Sequence, residues 1–329
     1  MGQSVGCSSH DDHTISGQDI EMGRDDFLRR IGEIKRWRRG NERAPHKPLL
    51  LLLALGRVQR GERRLANYAN EVADDLKKLL RWYGPPRSVP HPEAPFARLA
   101  NDDLWEVVAD ADLDRIKGKG GVTHRQLVDH AAVGGFKESD QRMLLADPEL
   151  VEQAAQRLLA THFPPSWHDS IRDAVGLARP VERAFPSKAP TIRDRNFRHA
   201  VLRAYERRCV VCGFDVRLDD DLVGLEAAHI RWHSHGGPDQ VRNGLALCIL
   251  HHQTFDRGAI GLERATKGYR LVVSDEVNGQ SPAFRQLLDC HGKPIRSPQH
   301  SRQRPDPDFV DWHRKQVFRG RPRGLEDRS

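Results

Sequence analysis

The sequence predicts an α+β protein with two domains, a mainly α-helical N-terminal domain and a smaller mixed C-terminal domain. Apolar residues recur at helical spacing through the first half of the chain. In the second half, short strand-like segments alternate with turns around a cluster of cysteines and histidines. With 329 residues, the chain is long enough for two domains of roughly 100–200 residues, each with its own core.

The N-terminal half opens with a polar segment, residues 1–22, which has no apolar periodicity and is predicted to be a disordered tail. Phe27, Ile31 and Ile34 then follow the i, i+4, i+7 spacing of a helix. The apolar run 49–55 predicts a central helix. A domain over residues 23–165 is completed by a helix near 72–79, a strand at 104–108, and helices over 122–133 and 141–160.

Residues 166–190 contain prolines and mixed charge, which predict a linker with one short helix. The second predicted domain, residues 191–275, starts with a basic helix. It continues with a strand at 222–230, a turn at Gly236-Gly237-Pro238, a short strand at 245–247 and a helix that begins near His251. Residues 276–329 are interpreted as a basic C-terminal extension with one helix candidate, 308–318.

The charge balance favours a polyanionic partner. The formal net charge is +7, and nucleic acid is the commonest partner of a basic protein. The run 49–55 is far shorter than the roughly 20 apolar residues that cross a bilayer. The first residues match neither an acylation signal nor a secretory signal, so we expect no membrane association and a cytoplasmic location.

Two pairs of metal-type ligands lie 36 residues apart. Cys209-x2-Cys212 and Cys248-x2-His251 together offer three thiolates and one imidazole, the set that a tetrahedral structural Zn²⁺ site uses. The other two cysteines, Cys7 and Cys290, stand outside this cluster. This usage is typical of metal binding in a reducing compartment rather than of a disulfide framework.

A second set of polar residues is interleaved with the first: His229, Asn243 and His252, with Glu226 and Asp256 nearby. His252 and Asp256 are four residues apart on a predicted helix, so they share a face and could ligate one ion. On the predicted strand, Glu226 and His229 are three residues apart and project to opposite faces.

These residues resemble the HNH endonuclease family, whose ββα-metal fold places two strands and a helix around one divalent ion. The resemblance rests on the segments Glu226-Ala-Ala-His-Ile, Asn243-Gly-Leu-Ala-Leu-Cys and His251-His252 with Phe-Asp-Arg-Gly after them. It implies that His229 is the general base, that Asn243 orients the His229 ring and holds the loop, and that His252 ligates a catalytic Mg²⁺, Mn²⁺ or similar ion.

The chain departs from the HNH pattern at one position. Many members carry an acidic or histidine ligand directly before the general base, where this chain has Ala228. Glu226 or Asp256 would then complete the catalytic metal site, and the sequence leaves open which of them does so.

The first domain resembles the sulfur-binding domain of McrA-type restriction enzymes that cut phosphorothioate-modified DNA. The matching segments are residues 43–50, 83–87 and 91–96, and Ala94 stands where the family often has an aromatic residue. The resemblance implies an apolar pocket for sulfur, formed by Ala94 and Pro95, beside basic residues that hold the DNA backbone. The residues expected to bind DNA are Arg39, Arg43, His46, Lys47, Tyr83, Arg87, His91, Ala94, Pro95, Phe96, Arg98, Lys117 and Lys119.

Together these features predict a modification-dependent restriction endonuclease that acts on double-stranded DNA. Two alternatives stay open: an HNH nuclease that recognises methylated DNA, and a zinc-stabilised DNA-binding protein that has lost catalysis. With one predicted nuclease centre per chain, double-strand cutting requires either a homodimer or two independent nicks, and the sequence does not choose between them.

Overall fold

The computed structural model describes residues 17–34, 45–86, 89–178 and 192–324. Within those residues, no helix is both long and apolar enough to cross a membrane. The cytoplasmic location stays a prediction.

The first domain packs helices around a three-stranded antiparallel sheet of order β1-β3-β2. A π-helical turn lies at Tyr68–Val72, and 3₁₀ turns lie at Leu99–Asp102 and Pro165–Trp167. The regular elements are, in chain order, α1 (Gly17–Gly32), α2 (His46–Gln59), β1 (Ala66–Asn67), α3 (Ala73–Tyr83), α4 (Glu93–Arg98), β2 (Trp105–Val108), α5 (Leu113–Ile116), α6 (His124–Asp129), β3 (Val133–Phe136), α7 (Glu138–Ala146), α8 (Pro148–His162) and α9 (His168–Val175).

Helix α2 is the centre of this domain, as its apolar run predicted. Its residues from Pro48 to Gly56 are all buried, and the helix packs against α3, α4, α7, α8 and α9. A helix that is apolar around its whole circumference is stable only when neighbours cover every side. Helix α1 begins at Gly17, inside the segment predicted to be disordered, and Phe27 and Ile31 join the same core as predicted.

Two predicted helices of the first domain were too long. The helix predicted over 141–160 is divided into α7 and α8, because Asp147 caps the backbone N–H groups of Glu149 and Leu150 and Pro148 starts the second helix. The helix predicted over 122–133 ends at Asp129, and β3 follows it. A Cβ at Gly135 of β3 would lie 2.0 Å from the carbonyl oxygen of Arg64, so glycine lets these backbones approach.

The linker predicted at 166–190 was wrong over its first part. Four residues of the predicted linker are buried in the core of the first domain: Trp167, Ile171, Val175 and Leu177. Ile171 and Val175 belong to α9, which begins directly after Trp167. Pro164 and Pro165, which directly precede the predicted linker, introduce the 3₁₀ turn before α9. Residues 179–191 lie outside the described part of the chain.

The second domain is centred on the antiparallel hairpin of β6 and β7, which contacts α10 and α11. The strand predicted at 222–230 is interrupted at Gly224, which has a φ of +71°. The elements are α10 (Ile192–Ala204), β4 (Arg217–Leu218), β5 (Asp221–Leu222), β6 (Leu225–His229), β7 (Gly244–Cys248), α11 (Ile249–Asp256), β8 (Ile260–Arg264), β9 (Tyr269–Val273), α12 (Pro282–Asp289) and α13 (Pro307–Gln316), with 3₁₀ turns at His233–His235, Val241–Asn243 and Ser301–Gln303.

The residues interpreted as a C-terminal extension are an integral part of the fold. Val310 of α13 belongs to the core of the second domain, whereas Trp312 and Val317 belong to the core of the first. Trp167, Trp232 and Trp312 form what we call the tryptophan cluster, with ring centroids 4.9 Å apart in the first pair and 5.7 Å apart in the second. One tryptophan comes from each of three chain segments, so the cluster joins the two domains.

Replacing Trp312 by Ala should destabilise the protein by about 3–5 kcal/mol, because the change leaves a cavity in the interface between the domains. Chemical denaturation followed by tryptophan fluorescence and circular dichroism measures the shift. Trp82 is 70% exposed and is the matched control, since its replacement by Ala should cost less than about 0.5 kcal/mol. Equal shifts for the two variants would contradict the structural role of the C-terminal residues.

Candidate functional site

The four predicted zinc ligands lie close together in the structure. Sγ of Cys248 lies 3.1 Å from Nδ1 of His251, and Sγ of Cys209 lies 3.6 Å from the same nitrogen. Sγ of Cys212 lies 4.0 Å from Sγ of Cys248, and the four ligand atoms all lie within 4.8 Å of one another. Ligands about 2.3 Å from a tetrahedral ion stand about 3.8 Å apart, so this donor set fits one Zn²⁺.

The electrostatics of this cluster favour an ionised thiolate. Hydrogen bonds from Cys212 and then from Cys248 hold the pKa of the Cys209 thiol well below its usual range. Burial opposes the charged form of His251, but the neighbouring thiols outweigh it and raise the pKa of this imidazole to about 11. A cation at the centre would replace that proton, because metal ligands bind in their deprotonated forms.

The cluster determines where α11 begins. Cys248 is the last residue of β7 and pairs with Leu225 in the hairpin, and His251 lies in the first turn of α11. His252 follows directly, so the helix turns it away from the cluster and toward β6. The position of His252 therefore depends on the residue that anchors the helix to the cluster.

His229 stands at the end of β6, half-buried against α10. Its ring stacks on Phe197 with centroids 4.0 Å apart and planes 14° apart. Nε2 donates a hydrogen bond of 2.9 Å to the carboxylate of Asp239, which leaves Nδ1 as the nitrogen that can accept a proton. Burial lowers the pKa of His229 below its usual value, although Asp239 opposes this shift. The imidazole is therefore neutral at pH 7, as a general base must be.

Asn243 is fully buried and holds the loop that follows His229. Its Oδ1 accepts from the backbone N–H of Arg231 at 2.8 Å, and its Nδ2 donates to the carbonyl oxygens of Arg231 and Pro238, each at 3.0 Å. This agrees with the loop-holding role implied by the resemblance. Asn243 does not orient the His229 ring, however, because Phe197 and Asp239 do so.

His252 lies between two carboxylates. Its Nδ1 is 2.6 Å from Oε2 of Glu226 on β6, and its Nε2 is 3.3 Å from Oδ2 of Asp256 on the same helix. Burial opposes protonation of His252, but Asp256 and Glu226 outweigh it and raise the pKa of this imidazole to about 10. Each carboxylate therefore faces a different nitrogen of the ring.

Asp256 is the more enclosed of the two carboxylates. Its side chain is 4% exposed, against 45% for Glu226. Burial alone would raise the pKa of Asp256, but the charge of His252 and a hydrogen bond from Ser166 lower it, so Asp256 is ionised. Ser166 belongs to the first domain, and its Oγ donates to Oδ2 of Asp256. The ring of the neighbouring residue Phe255 stacks on the ring of His313 of α13, with centroids 3.8 Å apart.

Several residues expected to bind DNA lie together on the first domain. Arg98 at the end of α4 is exposed and donates to the carbonyl oxygen of Gly120 at 2.9 Å, which places the basic loop with Lys117 and Lys119 beside α4. His91 is also exposed, 2.9 Å from the carboxylate of Glu93. His46 and Lys47 are half-buried at the start of α2, where Lys47 forms an ion pair with Asp102.

Three of the expected DNA contacts are corrected by the structure. Phe96 is completely buried, with Tyr68 and Trp105 against its ring, and Pro95 is buried next to it. Tyr83 is 8% exposed and donates to the carbonyl oxygen of Ser170. These side chains support the fold and do not present a surface to DNA. Ala94 is half-buried, and Arg39, Arg43 and Arg87 lie outside the described residues.

Three residues of the site were not predicted from the sequence: Asp239, Phe197 and Ser166. Asp239 follows the glycine–glycine–proline turn, where a polar residue is ordinary in any loop. Ser166 lies in the stretch interpreted as a linker. Only the packing of distant segments identifies these residues, so no spacing in the sequence could have indicated them.

Two protein-family models match the chain. The model described as ScoMcrA-like, DNA sulfur-binding domain matches residues 24–180, and the model of the HNH endonuclease matches residues 209–263. The first match extends beyond the predicted domain end at 165 and includes the buried residues of α9. Among curated proteins, none is a significant match.

Several solved structures are similar to the first domain. The sulfur-binding domain of ScoMcrA complexed with phosphorothioated DNA is 29% identical over 46% of this chain and 95% of that chain, with a TM-score of 0.41. The corresponding SprMcrA domain is 26% identical over 47% and 94%, with a TM-score of 0.39.

The Type IV phosphorothioation-dependent restriction endonuclease ScoMcrA is 28% identical over 46% of this chain, with a TM-score of 0.39. The match spans 32% of that endonuclease's length. The family matches confirm the resemblances found in the sequence: the chain is an HNH-type DNA endonuclease that carries a ScoMcrA-like DNA sulfur-binding domain.

Proposed function

We propose that this protein binds phosphorothioate-modified double-stranded DNA through its first domain and hydrolyses nearby phosphodiester bonds in its second domain. One observation carries the proposal: a single chain joins a domain of the sulfur-binding family to an HNH centre in which His229, Asn243 and His252 are all buried or half-buried and hydrogen-bonded. The first domain selects the DNA, and the second cuts it.

The selection rests on the chemistry of sulfur. A sulfur atom in place of a non-bridging phosphate oxygen is larger and less strongly hydrated, so an apolar surface favours it. We place this surface near Ala94, and we assign the contacts with neighbouring phosphates to His91, Arg98, Lys117 and Lys119, which are exposed there.

We assign the general base to His229. Its neutral ring can take a proton from water at Nδ1, and the proton then stays on an imidazolium that Asp239 stabilises through Nε2. Phe197 and Asp239 fix the plane of the ring, so little reorientation is needed when water attacks.

We assign His252 and Asp256 as the ligands of the catalytic ion and Glu226 as the residue that orients His252. Adjacent ligands of an octahedral Mg²⁺ stand about 3.0 Å apart. The 3.3 Å between Nε2 of His252 and Oδ2 of Asp256 suits such a pair, whereas the 2.6 Å to Glu226 is a hydrogen bond. A carboxylate on the other imidazole nitrogen is the usual support for a metal-bound histidine.

The catalytic ion, Mg²⁺, Mn²⁺ or a similar cation, would neutralise the scissile phosphate and stabilise the leaving oxygen. We assign Zn²⁺ to the cluster of Cys209, Cys212, Cys248 and His251, where it would be structural. Because each chain carries one HNH centre within its described residues, cutting of both strands would require either a homodimer or two independent nicks.

Binding should depend on the modification. A duplex with one phosphorothioate per strand should bind at least tenfold more tightly than an unmodified or a methylated duplex of the same sequence, because only the first offers sulfur to an apolar surface. Fluorescence anisotropy at two salt concentrations measures the affinity and separates the contribution of phosphate contacts. Equal affinity for all three duplexes contradicts the sulfur-binding role, and preference for the methylated duplex supports the alternative instead.

Replacing His229 by Ala should reduce cleavage by about 10²–10⁴-fold, since the reaction loses its general base. Binding of the modified duplex should stay within twofold of the unsubstituted protein, and the zinc content should not change. Single-turnover cleavage assays with Mg²⁺ or Mn²⁺ measure this reduction. His199 on the surface of α10 is the matched control, and His199→Ala should cut normally.

The pH dependence of the cleavage rate should follow the protonation of His229. Only the neutral imidazole accepts a proton, so cleavage should be constant above the lowered pKa of His229 and should fall as the pH drops through it. Asp239 raises this pKa, so Asp239→Asn should move the acidic limb to lower pH and slow the plateau rate by about 10–100-fold. An acidic limb that stays in place in the variant would contradict the pairing of Asp239 with the general base.

A further inference from the structure

A hydroxyl group from the first domain reaches the ligand pair of the second. Ser166 donates to Oδ2 of Asp256, the same oxygen that lies 3.3 Å from Nε2 of His252. Three groups therefore meet at one point: a serine hydroxyl, a buried carboxylate and an imidazole. Carboxylate ligands of metal ions are usually held in place by further hydrogen-bond donors, and Ser166 is such a donor.

The backbone around Ser166 is firmly held. The backbone N–H of Trp167 donates to the carbonyl oxygen of Pro164, and the hydroxyl of Tyr83 donates to the backbone carbonyl oxygen of Ser170, each at 2.9 Å. The Trp167 ring is 2% exposed and packs edge-on against Tyr83 at 5.5 Å and against Trp232 at 4.9 Å. Ser166 is thus fixed by its own domain while its side chain reaches the other one.

The carboxylate of Asp256 depends on the hydroxyl of Ser166 because it has few other hydrogen-bond donors. The carboxylate is almost completely buried, so water cannot replace a lost donor without entering the interface. The end of α11 is held on another side by α13, where His313 stacks on Phe255 and bonds to its carbonyl oxygen at 3.0 Å. The backbone of Asp256 is therefore positioned by the C-terminal residues, and its carboxylate by Ser166.

We propose that Ser166 is a positioning residue of the nuclease centre, supplied by the sulfur-binding domain. It holds Oδ2 of Asp256 toward Nε2 of His252, so the site for the catalytic ion is complete only when the two domains are docked. The inference rests on the proposed function to the extent that His252 and Asp256 are taken as the ligands.

The direct test is the affinity of the full-length, zinc-loaded protein for Mn²⁺ in the absence of DNA. The electron paramagnetic resonance signal of free Mn²⁺ measures it, and His252→Ala sets the background. Ser166→Ala should weaken Mn²⁺ binding by about 10–100-fold, the range typical of residues that support metal ligands. Ser166→Thr keeps the hydroxyl and should restore most of the affinity.

The matched control is Ser170→Ala, which removes a hydroxyl from the same segment without touching Asp256. This variant should bind Mn²⁺ within twofold of the unsubstituted protein. In cleavage of the modified duplex, Ser166→Ala should lower kcat and leave the KM for DNA unchanged, because the change affects the ion site and not the DNA-binding surface.

Two results would overturn the proposal. One is a Ser166→Ala variant with unchanged Mn²⁺ affinity. The other is a Ser166→Ala variant that binds Mn²⁺ or cuts DNA better, which would mean that the contact inhibits the centre. The Mn²⁺ measurement contains no DNA, so it separates the two proposals: equal affinity for modified and unmodified duplexes removes the sulfur-reading function and leaves the role of Ser166 standing.

Discussion

The placement of the nuclease residues depends on the convergence of three thiols and one imidazole around a single point. Helix α11 has eight residues, too few to be stable by itself in water. Its first turn is tied through His251 to Cys209 and Cys212, which come from the segment after α10. Metal coordination there would cross-link three parts of a small domain. Because His252 is the next residue, the orientation of the candidate ion ligand follows from that cross-link.

The two domains are docked against each other through one interface, so they are not separate units on a flexible tether. The tryptophan cluster supplies the apolar contact, and Ser166 with Asp256 supplies a partly buried polar one. Helix α13 contributes Trp312 to the core of the first domain and Val310 to the core of the second, so the C-terminal residues are also part of the interface. A hydrogen bond to a carboxylate is directional, whereas ring packing tolerates small shifts. The polar contact therefore adds precision to an interface that the aromatic rings stabilise.

Local chemistry was readable in the sequence, and long-range packing was not. Cys209-x2-Cys212, Cys248-x2-His251 and His252 could be assigned because metal ligation and helix periodicity impose spacings. Phe96 was expected at the DNA surface because it belongs to a matching motif, but its ring fills the core. Ser166 and Asp239 carry no signal of their own, because a serine beside prolines and an aspartate after a turn occur in any loop. Their roles follow from partners 90 and 10 residues away.

The docked tryptophans also bear on where a DNA strand is cut. A reader and a nuclease joined by a flexible tether reach a broad range of phosphates, since the tether samples many lengths. Trp167 and Trp232 instead hold the two surfaces at one separation and one relative angle. On a double helix, a fixed separation and a fixed angle correspond to a constant number of base pairs between the bound site and the cleaved bond, and to one side of the helix. In the proposed function, the interface would therefore set the distance along the duplex between the bound modification and the cleaved bond, and the products of cleavage should have uniform ends.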